Sequence, residues 1–320
     1  MTKVSATTHR LRFIVVGAPR SGTTLVQRLL AESCGVSVPP ETHFFTLLVQ
    51  SLSGSDTREQ IAARLDSYLE SPQLSRMNPP DSAALQRLIE LLAARRWTDA
   101  FVLAVEIFGE PDADIIGEKT PSHLSWCQHL LDELPHLRVI AVMRDPRAVV
   151  NSRRDVPWGT SDPLAQATHW RIDASLLAKL RRDHPDRVLV VRYEELVNAP
   201  EVLRTELTTF LSTADRPRRV PDRLFGEDET WKRRALGPVD PTRAQVWRDQ
   251  LSAEIADAVA AICWPQMVSW GYDPGMSRRD RARIAMAQLR RRPRSCLRVL
   301  SVTRARKVQA RRQAFQARDA

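Results

Sequence analysis

The chain has 320 residues, 43% of them hydrophobic and 27% charged, enough for a sizeable core in one large α/β domain or two smaller ones. No apolar run approaches the roughly 20 residues of a membrane span, and Met1 to Arg10 carry no apolar stretch of signal-peptide type, so a cytoplasmic location is expected. The formal charge of +10 is uneven, because 15 Lys/Arg lie between Arg278 and Arg318 against only Asp280 and Asp319, so any nucleic-acid reading of the high pI concerns the tail alone.

The first predicted element is a strand over residues 12–17. A loop of small residues follows, then a helix with Leu25, Leu29 and Leu30 on its apolar side. Strand, glycine loop and helix make a phosphate cradle, because free backbone N–H groups and the helix dipole converge on one anion. The Gly17 to Gly22 spacing matches the start of a nucleotide-binding P-loop, yet Thr23 stands where that motif places lysine. Arg20 sits inside the loop instead, a fixed cation whose donor fork fits a phosphate or sulfate edge. Pro19, Ser21, Gly22, Thr23 and Thr24 complete the loop and the helix start.

A shorter strand is expected over 35–38. Glu41 and His43 follow in Pro39-Pro40-Glu41-Thr42-His43-Phe44-Phe45, near the sheet's edge. Residues 57–108 read as wholly helical, broken at Pro72 and at Pro79-Pro80, a long insertion of the kind that covers active sites. Strands are expected over 115–118, 138–144 and 187–193, each a short apolar run with charged or Gly/Pro flanks, as in buried parallel strands. Helical patterns alternate with them, which indicates a doubly wound α/β sheet.

The strand over 115–118 runs into Glu118-Lys119-Thr120. The strand over 138–144 ends at Arg144, at the carboxyl edge where α/β ligands bind. A helix opening near Pro146 puts Ser152 about two turns in, eight residues after Arg144. Arg plus Ser at this spacing, added to the cradle, suits a ligand with two separated anionic groups. Asp145 leaves other readings open: a surface ion pair with Arg144, or a magnesium-binding acid after an apolar strand.

Residues 252–263 read as the last helix of the body, closed by Gly271-Tyr272. From 277 onward the tail is basic and divided by Pro293. Its ragged stripe of Leu297, Leu300, Val308 and Phe315 reads as a solvated or partly disordered tail. The functional alternatives for 278–318 are adhesion to an anionic membrane surface or acidic polymer, peripheral to the membrane, or a partner helix. Nucleic acid is disfavoured there, since interleaved aromatics are missing. Cys34, Cys127, Cys263 and Cys296 lie far apart, which supports neither a metal knuckle nor a disulfide framework.

Gly17-Ala18-Pro19-Arg20-Ser21-Gly22-Thr23-Thr24, together with Val142-Met143-Arg144-Asp145-Pro146-Arg147-Ala148 and Ser152, resembles the sulfotransferase family, whose members use 3′-phosphoadenosine-5′-phosphosulfate (PAPS). The resemblance spans about residues 11–275, carried by four or five short stretches. It implies a P-loop-like three-layer α/β fold with a central parallel sheet. A domain over 1–276 would contain a helical insertion at 57–110 that covers the substrate, and 277–320 would form the basic tail. It implies that the loop cradles the 5′-phosphosulfate and that Arg144 and Ser152 hold the 3′-phosphate. In Val191-Arg192-Tyr193-Glu194-Glu195-Leu196, Tyr193 would lie near the adenine.

Glu41 resembles the general-base Glu of the Golgi tyrosine- and heparan-type enzymes, and His43 is the competing base. Glu118-Lys119-Thr120 is similar to a heparan-type stretch whose Lys approaches the transferring sulfate. Arg243 in Arg243-Ala244-Gln245-Val246-Trp247 resembles an Arg-x-x-x-Trp of bacterial members, with the Arg at the 3′-phosphate. Lys232, Arg233 and Arg234 are alternatives in the same stretch. The resemblance implies in-line sulfuryl transfer from PAPS to a hydroxyl or amine of a small-molecule, glycan or peptide acceptor. PAP (3′,5′-ADP) would be the product, and no metal is required. Specificity would lie in 42–110 and in loops near Trp158 and Trp231. The rivals are a P-loop kinase or NTPase using ATP and magnesium, which the missing lysine disfavours, and a non-catalytic anion- or polymer-binding protein with the same fold.

Overall fold

Four short apolar runs pair into one parallel sheet. Leu11–Gly17 (β1), Ile116–Lys119 (β2), Arg138–Met143 (β3) and Val188–Arg192 (β4) lie in the order β2-β1-β3-β4. The structure is a computed structural model and describes residues 9–75, 77, 79–154, 156–157, 162–213, 225 and 229–291. Val15 pairs with Lys119 on one side, Gly17 with Val142 on the other, and Met143 with Arg192. These registers bring the ends of all four strands to one edge. The loop after Gly17, the side chain of Lys119, and the residues Arg144 and Tyr193 therefore issue from the same side of the sheet.

Thr23–Cys34 (α1) follows that loop. The insertion holds Arg58–Leu69 (α2), Ser82–Ala93 (α3) and Trp97–Phe108 (α4). Cys127–Glu133 (α5) leads into β3, and Pro146–Ser152 (α6) and Pro163–Asp183 (α7) connect β3 to β4. Tyr193–Asn198 (α8), Pro200–Leu211 (α9), the short Trp247–Gln250 (α10), Ala253–Ser269 (α11) and Arg278–Arg291 (α12) complete the described chain.

Alternate residues of a strand face opposite sides of the sheet, and here each side has its own core. Ile14 and Val16 join Phe45, Phe101, Trp170 and Val259 on one side. Phe13 and Val15 join Val26, Leu29, Leu196 and Leu207 on the other. Helices thus cover both faces, giving the expected three layers. Gly117 lies beneath the Phe13 ring, and a Cβ there would overlap it. Gly117→Ala should lower stability by about 1–3 kcal/mol through overpacking, read as an earlier urea midpoint with an unchanged m-value.

The insertion begins where the sequence places it. Thr57 and Gln60 form a reciprocal capping box at the start of α2, and Asp81 caps α3. Its last helix, α4, buries Trp97, Phe101 and Val105 against the sheet. That helix is part of the core, and from 57–108 the cleft described below receives only Gln73 among the described residues.

Two elements differ from expectation. Residues 35–38 make a single bridge, Ser37 to Ile116, in place of a strand. Pro39 and Pro40 follow at once, and the missing proline N–H groups cannot extend the ladder. The helix expected to end at residue 263 runs on to Ser269, through Pro265. Pro265 leaves the Ala261 carbonyl without its helical donor, and Arg281 Nε of α12 donates to that oxygen at 3.0 Å. The beginning of the basic tail therefore docks on the body. Residues 292–320, which hold most of the proposed surface-binding segment, and Trp158 lie outside the described residues. Among the described residues, Cys34, Cys127 and Cys263 are buried, and no helix is long and apolar enough to cross a membrane.

Candidate active site

The strand ends open into a cleft of about 1180 Å³. Its floor is the loop between β1 and α1. Gly17, Arg20 and Gly22 have φ of 149°, 76° and 103°. A left-handed Arg is uncommon, and such backbone persists where surrounding structure fixes it. Gly22 caps α1 with no side-chain cap, and the first turn of α1 contains no acidic residue. The backbone N–H groups of Thr23 and Thr24 therefore lie at the cleft, with the positive end of the helix behind them. Pro19, Thr23 and Thr24 line the cleft, while Ser21 is fully buried beneath the loop.

Gly22 is required twice. Its φ suits glycine, and a Cβ there would lie 2.5 Å from Tyr193 Cδ2. Gly22→Ala should push the Tyr193 ring aside and weaken 3′,5′-ADP binding about 10-fold or more, read by calorimetry. An unchanged affinity would separate the ring from the nucleotide.

Arg144, directly after β3, carries the second wall. Its Nη1 donates to the Arg20 carbonyl at 3.2 Å and its Nη2 to the Arg243 carbonyl at 2.7 Å. The guanidinium lies 4.0 Å from the centroid of the Tyr193 ring, and its buried Nε has no partner among the described residues. Ser152 is the last residue of α6, and its hydroxyl accepts from Arg20 Nε at 3.2 Å. The loop and the Arg/Ser pair therefore form one contiguous set, with the Arg20 side chain turned onto Ser152. Arg243 lines the same wall through a 3-10 turn at Pro241–Ala244.

Among the described residues neither Arg20 nor Arg144 is paired with a carboxylate. Burial lowers both pKa values, Arg20 to about 10, and for Arg20 the neighbouring Arg144 adds to the effect. Crowded, desolvated cations of this kind are stabilised when an anion arrives.

Asp145 is already engaged. It caps α6 through the Arg147 N–H and holds the Arg147 guanidinium through Nε at 3.0 Å and Nη2 at 2.7 Å. Of the readings open for Asp145, the structure shows an ion pair made with Arg147, which also stacks 4.1 Å from the Trp247 ring centroid. Among the described residues no group of three His, Cys, Asp or Glu side chains is placed to hold a metal ion.

The third wall holds the acid–base candidates. Glu41 Oε1 accepts from Lys119 Nζ at 2.5 Å and from Lys232 Nζ at 2.8 Å, and Oε2 lies 3.1 Å from His43 Nε2. His43 has a φ of 49°, so two of the site candidates, Arg20 and His43, sit in strained backbone. Burial alone would raise the Glu41 pKa. Lys119, Lys232 and His43 outweigh it and hold the carboxyl well below the usual carboxylate range. Burial pushes the Lys119 ammonium down to about 8, against the pull of Glu41.

Behind this wall is a buried network that sequence reasoning missed. Glu118 accepts from Thr42 at 2.9 Å and Thr120 at 2.5 Å, and pairs with His123 Nδ1 at 3.0 Å. Thr120 Oγ1 also receives the His43 N–H at 3.2 Å, so the network fixes the segment that presents Glu41 and His43. A charged residue and a histidine five apart at the end of an apolar strand were its only sequence signal. Lys232, by resemblance an alternative to Arg243, reaches Glu41 at 2.8 Å.

A model described as "Sulfotransferase family" matches residues 12–217. A protein-tyrosine sulfotransferase of Drosophila melanogaster is 25% identical over 276 residues, covering 81% of this chain and 51% of its own length. Protein-tyrosine sulfotransferase 1 of Danio rerio is 26% identical over 274 residues, covering 81% of this chain and 71% of its own. The chain thus spans about half the length of the Drosophila relative. The sulfotransferase domain of the Synechococcus PCC 7002 olefin synthase shares the fold, with a TM-score of 0.56 at 24% identity over 82% of this chain and 95% of that one.

Proposed function

The chain belongs to the sulfotransferase family, and on that basis we propose that it transfers a sulfuryl group from PAPS to an acceptor hydroxyl. The observation that carries this reading is the continuous set of Arg20, Ser152, Arg144 and Arg243 wrapped around the uncapped start of α1. Such a set suits a nucleotide with anions at two positions. The loop N–H groups hold the 5′-phosphosulfate, Arg144, Ser152 and Arg243 hold the 3′-phosphate, and the Tyr193 ring lies against the base.

The chemistry is in-line displacement at sulfur, so the protein aligns the partners and stabilises charge. The acceptor oxygen forms a bond to sulfur and its proton passes to Glu41. The bond from sulfur to the 5′-phosphate oxygen breaks, and 3′,5′-ADP leaves with that electron pair. Lys119 and Arg20 stabilise charge on the transferring and leaving oxygens. His43 is the alternative base, with Glu41 as its partner.

Relatives named for protein tyrosine place a tyrosyl peptide among the acceptors to try, beside glycans and small alcohols. The test is acceptor-dependent formation of 3′,5′-ADP from PAPS by the full chain. Formation with at least one hydroxyl acceptor supports the reading. Failure to bind PAPS at all overturns it.

A further inference from the structure

Three cationic or protonatable groups converge on Glu41, and Lys232 is the one that the donor-binding walls do not explain. Lys119 reaches Glu41 from the buried end of β2. Lys232 reaches it from the 3-10 turn Thr230–Leu236. That turn is tied to the cradle, since the Trp231 carbonyl accepts from Arg20 Nη2 at 3.1 Å. Glu229 at the turn's start holds Lys232 at 2.6 Å. His43 and Arg20 complete the ionisable groups around the carboxylate, from its own segment and from the loop.

One carboxylate oxygen, Glu41 Oε1, therefore sits between two ammonium groups. A carboxylate held this way is a poor proton acceptor. Ammonium groups held this way are not free to meet an incoming sulfuryl group. One event can release both: the arrival of other anionic oxygens between the two lysines.

We propose that Lys232 is a second catalytic cation, sharing the sulfuryl oxygens with Lys119, and that Glu41 stands in for those oxygens until the donor docks. This rests on the PAPS reading above. Docking of the donor draws Lys119 and Lys232 from Glu41 to the sulfuryl group. The same exchange returns basicity to Glu41 once the donor is in place, so proton acceptance is coupled to donor binding. The lowered pKa of Glu41, in which Lys119 and then Lys232 overcome burial, agrees with this arrangement.

The test compares PAPS with 3′,5′-ADP, which share the nucleotide and differ by the sulfuryl group, in calorimetric titrations of the full chain. Glu41→Gln removes the stand-in anion and should tighten PAPS about 3–10-fold while 3′,5′-ADP stays within about twofold. Lys232→Met should weaken PAPS about 10-fold, again with 3′,5′-ADP nearly unchanged, and that unchanged binding shows the variant is folded. In the double variant the gain from Glu41→Gln should shrink, because one of the released lysines is gone. Lys232→Arg, which keeps the charge, should restore part of the PAPS affinity.

Unchanged or weaker PAPS binding in Glu41→Gln overturns the proposal. So do fully additive effects in the double variant, which would reduce the Glu41 effect to simple repulsion. If the unaltered chain binds neither nucleotide, the donor reading itself fails. If it binds both and the variants leave their difference unchanged, only the role of Lys232 fails.

Discussion

Glu41→Gln is expected to lower turnover about 10²–10⁴-fold, the usual worth of a general base, while 3′,5′-ADP still binds. Gln keeps the shape and the hydrogen-bond acceptor but cannot take the acceptor's proton. The proposed 3′,5′-ADP contacts come from other residues, the loop, Arg144, Ser152 and Arg243, so that affinity reports folding independently of the chemistry. Near-normal turnover would move the base to His43, which lies 3.1 Å away.

A pH profile separates the same two candidates. The base must be deprotonated, so the rate falls as pH drops through its pKa. Glu41 is held well below the usual carboxylate range in the free protein, so the acid limb of kcat/KM for PAPS should lie below that range, and a limb above it would point to another base. Lys119 must be protonated to meet the sulfuryl oxygens, so the rate should fall again as pH rises through about 8. Where donor docking frees Glu41, the acid limb of kcat should lie higher than that of kcat/KM.

Arg144→Met should weaken 3′,5′-ADP by about 10- to 150-fold, the equivalent of about 1.5–3 kcal/mol for a lost charged hydrogen bond. Binding of 5′-AMP, which lacks the 3′-phosphate, should change much less. Arg144 is the joint of the site: it ties the Arg20 carbonyl to the Arg243 carbonyl and covers the Tyr193 ring. Methionine can still cover the ring, but it loses both donors and the orphaned Nε. A comparable loss for both nucleotides would assign Arg144 to scaffolding. A loss confined to 3′,5′-ADP would assign it to the 3′-phosphate.

The fold was legible where the chemistry is local. The apolar runs of β1, β3 and β4 stop at Gly, Arg or Tyr, and the glycine loop must turn where φ is positive. The positions of Arg144 after β3 and of Ser152 two turns into α6 were also readable, since a strand end and a proline-started helix fix them.

Contacts that depend on distant segments were not readable. Asp145 chose Arg147 over Arg144, because α6 turns Arg147 back onto its own cap. The Lys232 to Glu41 bond joins residues 191 positions apart, through a turn whose sequence shows only a cluster of basic residues. The extension of α11 past Pro265 depends on Arg281, 20 residues away from the carbonyl it satisfies.

Thermal unfolding of the full chain with 3′,5′-ADP, with ATP and magnesium, and with no ligand tests the identity of the donor before any acceptor is known. 3′,5′-ADP should raise the midpoint clearly, and ATP with magnesium should leave it near the ligand-free value. Stabilisation by ATP and magnesium with none by 3′,5′-ADP would contradict PAPS as the donor.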